Sequence, residues 1–378
     1  VAFLSSTNIE ALSSIQIRAL KTQQLAGLTS TQMGSLTNAS INDLIATQWN
    51  GLSGTQLNAL SIGTLEALTT ARIASLSPTQ IGGLNSNTLS KIGSSNVAAL
   101  TTSQIVSLNT QQMKALTTDQ IANLTSDQVA SLTTASLAVF SGNQIAQLST
   151  DALGAISTEG IALLSTSQIV GLTTTQMASL SSSAFSTLNT KQIAALETSD
   201  FVVLSVENIG LLTAFQTRGL TTAQVSQLTT DAVAGLSTLA VAALNTVQVA
   251  SLSTTQVASL NSITVSALTT RQIAALETRD VAVLTAENLT IFSDAQIQAL
   301  STAQIAALLG NNISSISQSS IAAIETADFS QFTTRQIASL SKSQARVLTS
   351  AQVEALTTGQ ITSVTPSVLA ALSTAATS

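Results

Sequence analysis

The 378-residue sequence has no histidine, no cysteine, no tyrosine and only two prolines, with 2% aromatic and 8% charged residues. Each absence excludes something. Without histidine or cysteine there is no imidazole base, no thiolate nucleophile, no Cys/His zinc site and no iron–sulfur ligation. Disulfides cannot form, so the redox compartment cannot be read from them. Ordinary globular chains carry about 25% charged residues, so this surface must be built from serine, threonine, glutamine and asparagine. With 12 basic against 18 acidic residues, nothing favours a nucleic-acid backbone. Long apolar runs are missing too. The apolar runs are short pieces such as Phe201-Val202-Val203-Leu204, far short of the roughly 20 residues of a membrane-spanning helix. The chain opens at Val1 with no methionine and no basic stretch, which reads as a cleaved signal peptide or an excerpt. At 44% hydrophobic, the chain is nevertheless too apolar for intrinsic disorder.

What is present is a repeat. From Leu4, every eighth residue is apolar through Leu12, Leu20 and Leu28 to Leu356, Val364 and Leu372. Between Leu4 and Ala371 lie 46 complete octads with no insertion or deletion, 38 of them beginning with leucine. Typical units are LTTDQIAN (116–123) and LTTAQVSQ (220–227). Counting the leucine as position one, position two is Ser or Thr in 34 octads and Asn in five, and position five is Gln in 25. Position six is a large apolar residue except at Thr217 and Ala345, and position eight is mostly Ala, Ser or Gly. So strict a phase makes the octad one structural step, and residues 1–378 one continuous solenoid.

Ser or Thr followed three residues later by Gln is a capping box: the hydroxyl caps a helix N-terminus and the glutamine reaches back. The leucine before the cap and the Ile or Val at the fourth helical residue are placed as a hydrophobic staple. Pro78 and Pro366 both fall at position three, which this scheme makes the first helical residue, where proline's missing N–H matters least. Each octad is therefore predicted to be a cap, about six helical residues and a turn through the next leucine. Isolated helices under about 12 residues are marginal in water, so neighbours must stack to bury the apolar stripe.

The predicted fold is all-α: a solenoid of very short capped helices, one per octad. One long helix fails, because eight residues advance about 800° and the stripe would wind round the surface. A β-solenoid is the alternative, since Thr, Ile and Val suit strands. It would put Leu and Ile/Val on opposite strand faces and need a corner in every octad. A longer repeat also exists. Residues 190–212 and 270–292 match at 13 of 23 positions, ten octads apart, and an IETADF copy at 324–329 follows six octads later. If copies occupy equivalent faces, two octads per coil are expected.

The acidic pairs Glu197/Asp200, Glu277/Asp280 and Glu325/Asp328 stand out. Calcium between coils is conceivable, but positions two and five are where carboxylates cap helices and suit the dipole, and no Asp/Gly-rich calcium loop is present. They are assigned to capping. The Ser/Thr rows suggest an ice- or glycan-binding face, the glutamines an amide ladder, yet capping accounts for positions two and five. Trp49, at position six, is assigned to the core. No serine has a partner to activate it. An enzyme would need a pocket-forming irregularity, and only mild ones occur, at Leu309-Gly310-Asn311-Asn312 and 46–51. No catalytic, cofactor-binding or metal-binding residue is assigned, and no cofactor.

The strict run LTTxQIxxL resembles octapeptide-repeat regions of large secreted or cell-surface, adhesin-like bacterial proteins. That resemblance, over the whole chain, implies a non-enzymatic extracellular structural protein, such as a stalk, sheath or matrix component. No polar capping repeat closes either end, identical steps favour non-closing assembly, and an uncharged surface lacks repulsion. The expectation is a homo-oligomer or filament, with a surface polysaccharide or ice as the alternative partner.

Overall fold

The computed structural model describes residues 3–307 and 313–375. Among them every regular element is helical. The chain divides into two compact units, Val1–Leu188 and Asn189–Ser378, and each is a solenoid of helices four to six residues long; the second ends in the ten-residue helix Pro366–Ala375. That last helix, PSVLAALSTA, runs on through the octad boundary at Leu372, where Ala and Leu favour continuation.

The capping scheme holds where Ser, Thr or Asn stands at position two, as at Ser13, Thr117 and Asn189. In LTTDQIAN, Thr117 is the N-cap, its hydroxyl accepting from the Gln120 N–H at 3.2 Å, while Gln120 Oε1 accepts from the Thr117 N–H at 2.9 Å. Pro78 and Pro366 each open their helix. Between helices the chain turns on two successive extended residues, as at Leu116 (φ −58°, ψ 132°) and Thr117 (φ −71°, ψ 161°). No described residue has positive φ, which is why the turns do without the glycine that commonly ends a helix.

The core is the staple. Position-six side chains such as Ile73, Ile121 and Ile193 are wholly buried, and most position-one leucines, such as Leu116 and Leu276, nearly so. Thr217 and Ala345 keep their place in this row, both buried, with the Thr217 hydroxyl donating to the Thr213 carbonyl at 3.0 Å.

Each helix packs against the helices three before and three after it within its unit. Three octads therefore make one coil, not two. The expectation of two rested on the long copies lying on equivalent faces, and they do not. The six-octad offset between Glu277/Asp280 and Glu325/Asp328 is two whole coils and keeps the face. The ten-octad offset from Glu197/Asp200 is not a whole number of coils and moves to another face.

Position eight is small because coils touch there. A Cβ on Gly171 would lie 2.4 Å from Gly142 Cα, and one on Gly219 2.9 Å from the Thr190 carbonyl oxygen. Both partners sit at position three, one coil below.

Candidate functional site

The feature that organises the molecule is the buried glutamine row. Gln120 is 1% exposed, and beyond its part in the capping box its Nε2 donates to the Leu89 carbonyl at 2.8 Å and the Ile92 carbonyl at 2.7 Å. Those carbonyls end the helix Ser86–Lys91 one coil below, where a helix leaves its last C=O groups unsatisfied. One side chain thus serves the start of its own helix and the end of another. The same pair of bonds, 31 and 28 residues back, recurs at Gln104, Gln128, Gln256 and Gln344. Capping explains only half of this row. It is a ladder, but one of side chain to backbone rather than amide to amide.

The reaching-back half survives where the cap residue cannot accept. Gln24 takes the Lys21 N–H and Gln48 the Ile45 N–H, each at 2.8 Å. Shorter side chains keep the downward bond, as with Asn96 to the Leu68 carbonyl (2.7 Å) and Asn288 to the Leu260 carbonyl (2.9 Å). Arg72 replaces glutamine with a guanidinium that donates to the Asn42 carbonyl at 2.9 Å and to the Leu44 carbonyl. It lies 5.5 Å over the Trp49 ring, and burial lowers its pKa from the usual arginine value. Trp49 is fully buried with its Nε1–H on the Arg72 carbonyl at 2.9 Å, a core residue as position six predicts.

The acidic pairs act within this frame. Asp200 Oδ2 accepts from the Glu197 N–H at 2.9 Å and Asp280 Oδ2 from the Glu277 N–H at 3.3 Å. The glutamates depart from expectation: none of Glu197, Glu277 and Glu325 caps its helix with its own side chain. Asp280 instead binds downward, accepting from the Thr254 hydroxyl at 2.9 Å, and Asp328 accepts from Thr302 in the same register. Ser320 donates to Asp294 at 2.6 Å with the roles exchanged. Desolvation raises the Asp200 pKa above the ordinary aspartate value, opposed by the Glu197 N–H and assisted by the Glu197 charge.

The remaining candidates are quickly placed. Among the described residues no group of three or more acidic side chains could hold a metal ion, and no helix is long and apolar enough to cross a membrane. Two open hollows, about 490 Å³ beside Glu277, Arg279 and Gln304 and about 290 Å³ beside Lys91, Asp119 and Gln120, lie along coil corners. The octad holding Ala46–Trp49 keeps the regular phase, and residues 309–312 lie outside the described residues. On the surface, the position-three hydroxyls of Thr102, Ser126, Thr150 and Thr174 form a row, one per coil. The N-cap hydroxyls beside them accept from helix N–H groups.

A helical repeat solenoid is the class of protein these features define. The ALTTAQ repeat family matches residues 1–38, 89–126, 145–182, 273–309 and 321–358, together half of the sequence. The chain belongs to that family. Among curated proteins none matches it. Among solved structures, the leucine-rich repeat-containing protein LegL7 from Legionella pneumophila is similar at 15% identity and a TM-score of 0.15, over 63% of this chain and 78% of that one. That likeness is too slight to bear on the fold.

Proposed function

We propose that this chain is a non-enzymatic structural protein of the extracellular space or cell surface, self-assembling into a filament, sheath or matrix layer. The observation that carries the reading is the repeated coil-to-coil contact. The glutamine that receives the Leu89 and Ile92 carbonyls is matched by others doing the same throughout each unit. A surface complementary to its own repeat can receive a coil of another copy as it receives its own, and such head-to-tail contacts propagate rather than close. The low charge leaves little to oppose association. The extracellular placement rests on the resemblance of the octads to adhesin-like repeat regions. Electron microscopy of concentrated purified protein tests the reading: filaments or layers are expected, and dispersed monomers at high concentration would overturn it.

A second reading, an ice- or polysaccharide-binding module, is favoured by the row Thr102, Ser126, Thr150 and Thr174, whose hydroxyls are not the helix caps. Thermal hysteresis or glycan capture that disappears on replacing these four with alanine, with the fold intact, would establish it.

A further inference from the structure

Position four, the second helical residue, is exposed and mostly polar along the chain, as at Asp119, Asp127 and Asp151. In the second unit it departs from this three times in succession on one face. Phe215, Leu239 and Ile263 follow one another at three-octad steps, one per coil, and are 72%, 73% and 61% exposed. The row continues into exposed Lys191 one coil before Phe215 and exposed Glu287 one coil after Ile263. Around the three large side chains the face carries small ones, Ala214, Thr238, Ala242 and Ser262 among them, together with exposed Arg218, whose guanidinium lies 5.8 Å over the Phe215 ring. No other exposed large apolar side chain among the described residues has an exposed large apolar counterpart one coil before or after it.

We propose that this row is a lateral docking strip for a second copy of the chain, paired antiparallel about a twofold axis at Leu239. The end charges choose the occupant and its direction. In an antiparallel pair Leu239 meets Leu239, Phe215 meets the partner copy's Ile263, and Lys191 meets the partner copy's Glu287. In a parallel pair, lysine faces lysine and glutamate faces glutamate. A copy of this chain is thus complementary to the strip in charge and in apolar pattern, and the contact is isologous. Five coils at the usual 8–10 Å helix spacing make a strip about 40 Å long and on the order of 400 Å² per copy. That is small beside the roughly 800 Å² per partner of a stable complex, so the pairing is reversible. It is a side-to-side contact, distinct from stacking along the solenoid axis, and does not depend on it.

The chain has no cysteine, so cross-linking reports the geometry cleanly. Chains carrying Phe215→Cys are mixed with chains carrying Ile263→Cys under mild oxidation. Disulfides between the two kinds of chain are expected, with little of either self-linked species. Self-linked Phe215→Cys chains in excess, or no cross-link beyond that of an Asp119→Cys control, would overturn the proposal. Sedimentation equilibrium gives the second arm. Leu239→Asp, at a position where Asp119 and Asp127 are already accommodated, is expected to raise the dimer dissociation constant at least tenfold. Lys191→Glu is expected to weaken pairing several-fold at low salt, and adding Glu287→Lys to restore it. A dissociation constant unmoved by Leu239→Asp would refute the strip. Filaments that persist in that variant would show axial stacking to be separate.

Discussion

Gln120 and Ile92 are 28 residues apart and joined by a 2.7 Å hydrogen bond, Gln120 Nε2 to the Ile92 carbonyl. That bond links a helix start to a helix end one coil away. Because the same side chain also accepts from the Thr117 N–H, local capping and coil stacking are the same event at Gln120 and at the glutamines that repeat its bonds. Helices this short have no stability of their own, and here many, such as Ser86–Lys91, are completed at their C-terminal end by a residue from a later coil.

Gln120→Ala is therefore expected to destabilise the first unit more than loss of a simple cap. It removes the partner of the Thr117 N–H and of two interior carbonyls, at about 1–3 kcal/mol for each buried group left unpaired. Thr117→Ala removes only the cap, about 1 kcal/mol. Urea unfolding of the two variants gives the comparison, and equal losses would mean the downward bonds contribute nothing. Gln120→Glu adds a pH signature. Burial against carbonyls raises a carboxyl's pKa, so this variant should be most stable in acid and lose stability as pH rises past the ordinary glutamate value near about 4.3.

Much of this was legible in the octad. The caps, the proline positions and the buried staple all follow from contacts within one repeat, and Pro78, Thr117 and Ile121 sit where the pattern places them. The number of octads per coil was not legible, because it is set by contacts between successive coils that leave no local mark. Inferring it from the Glu197/Asp200 and Glu277/Asp280 copies failed because their ten-octad offset is not a whole number of three-octad coils, so the copies lie on different faces. The docking row shows the reverse case: Phe215, Leu239 and Ile263 look like unrelated exposed residues until the three-octad step is known.

Asp200 gives a pH-linked prediction of its own. Its folded pKa is raised above 3.8, chiefly by burial. The protonated form is thus favoured in the folded chain, and the stability it brings is complete below the unfolded pKa and lost as pH rises through the folded one. Asp200→Asn keeps an acceptor for the Glu197 N–H and removes the charge. It is expected to be more stable than the parent at pH 7, with the difference vanishing near pH 3. A difference that stays constant across that range would contradict the assignment.

Gly171 tests how closely the coils approach. An alanine there brings its Cβ to 2.4 Å from Gly142 Cα and 2.5 Å from Gly142 O, so the backbone must give way. Overpacking of this kind costs about 1–3 kcal/mol. Gly154→Ala, where a Cβ meets nothing within 4 Å, should be neutral or slightly stabilising, since alanine is the better helix former. Thermal unfolding of the two variants is expected to separate them, and similar melting would mean the Gly142–Gly171 contact is not tight.

The most direct measurement is of the coil itself. Paired spin labels at exposed position-four sites compare three spacings within the first unit: Asp127→Cys with Asp151→Cys, with Asn143→Cys, and with Glu159→Cys. With three octads per coil, the first pair lies on adjacent helices of one face, about 8–10 Å apart, and its dipolar broadening is expected to be the greatest of the three. Greatest broadening for Asp127/Asn143 would mean two octads per coil, and for Asp127/Glu159 four. Either result would contradict the glutamine-linked three-octad coil.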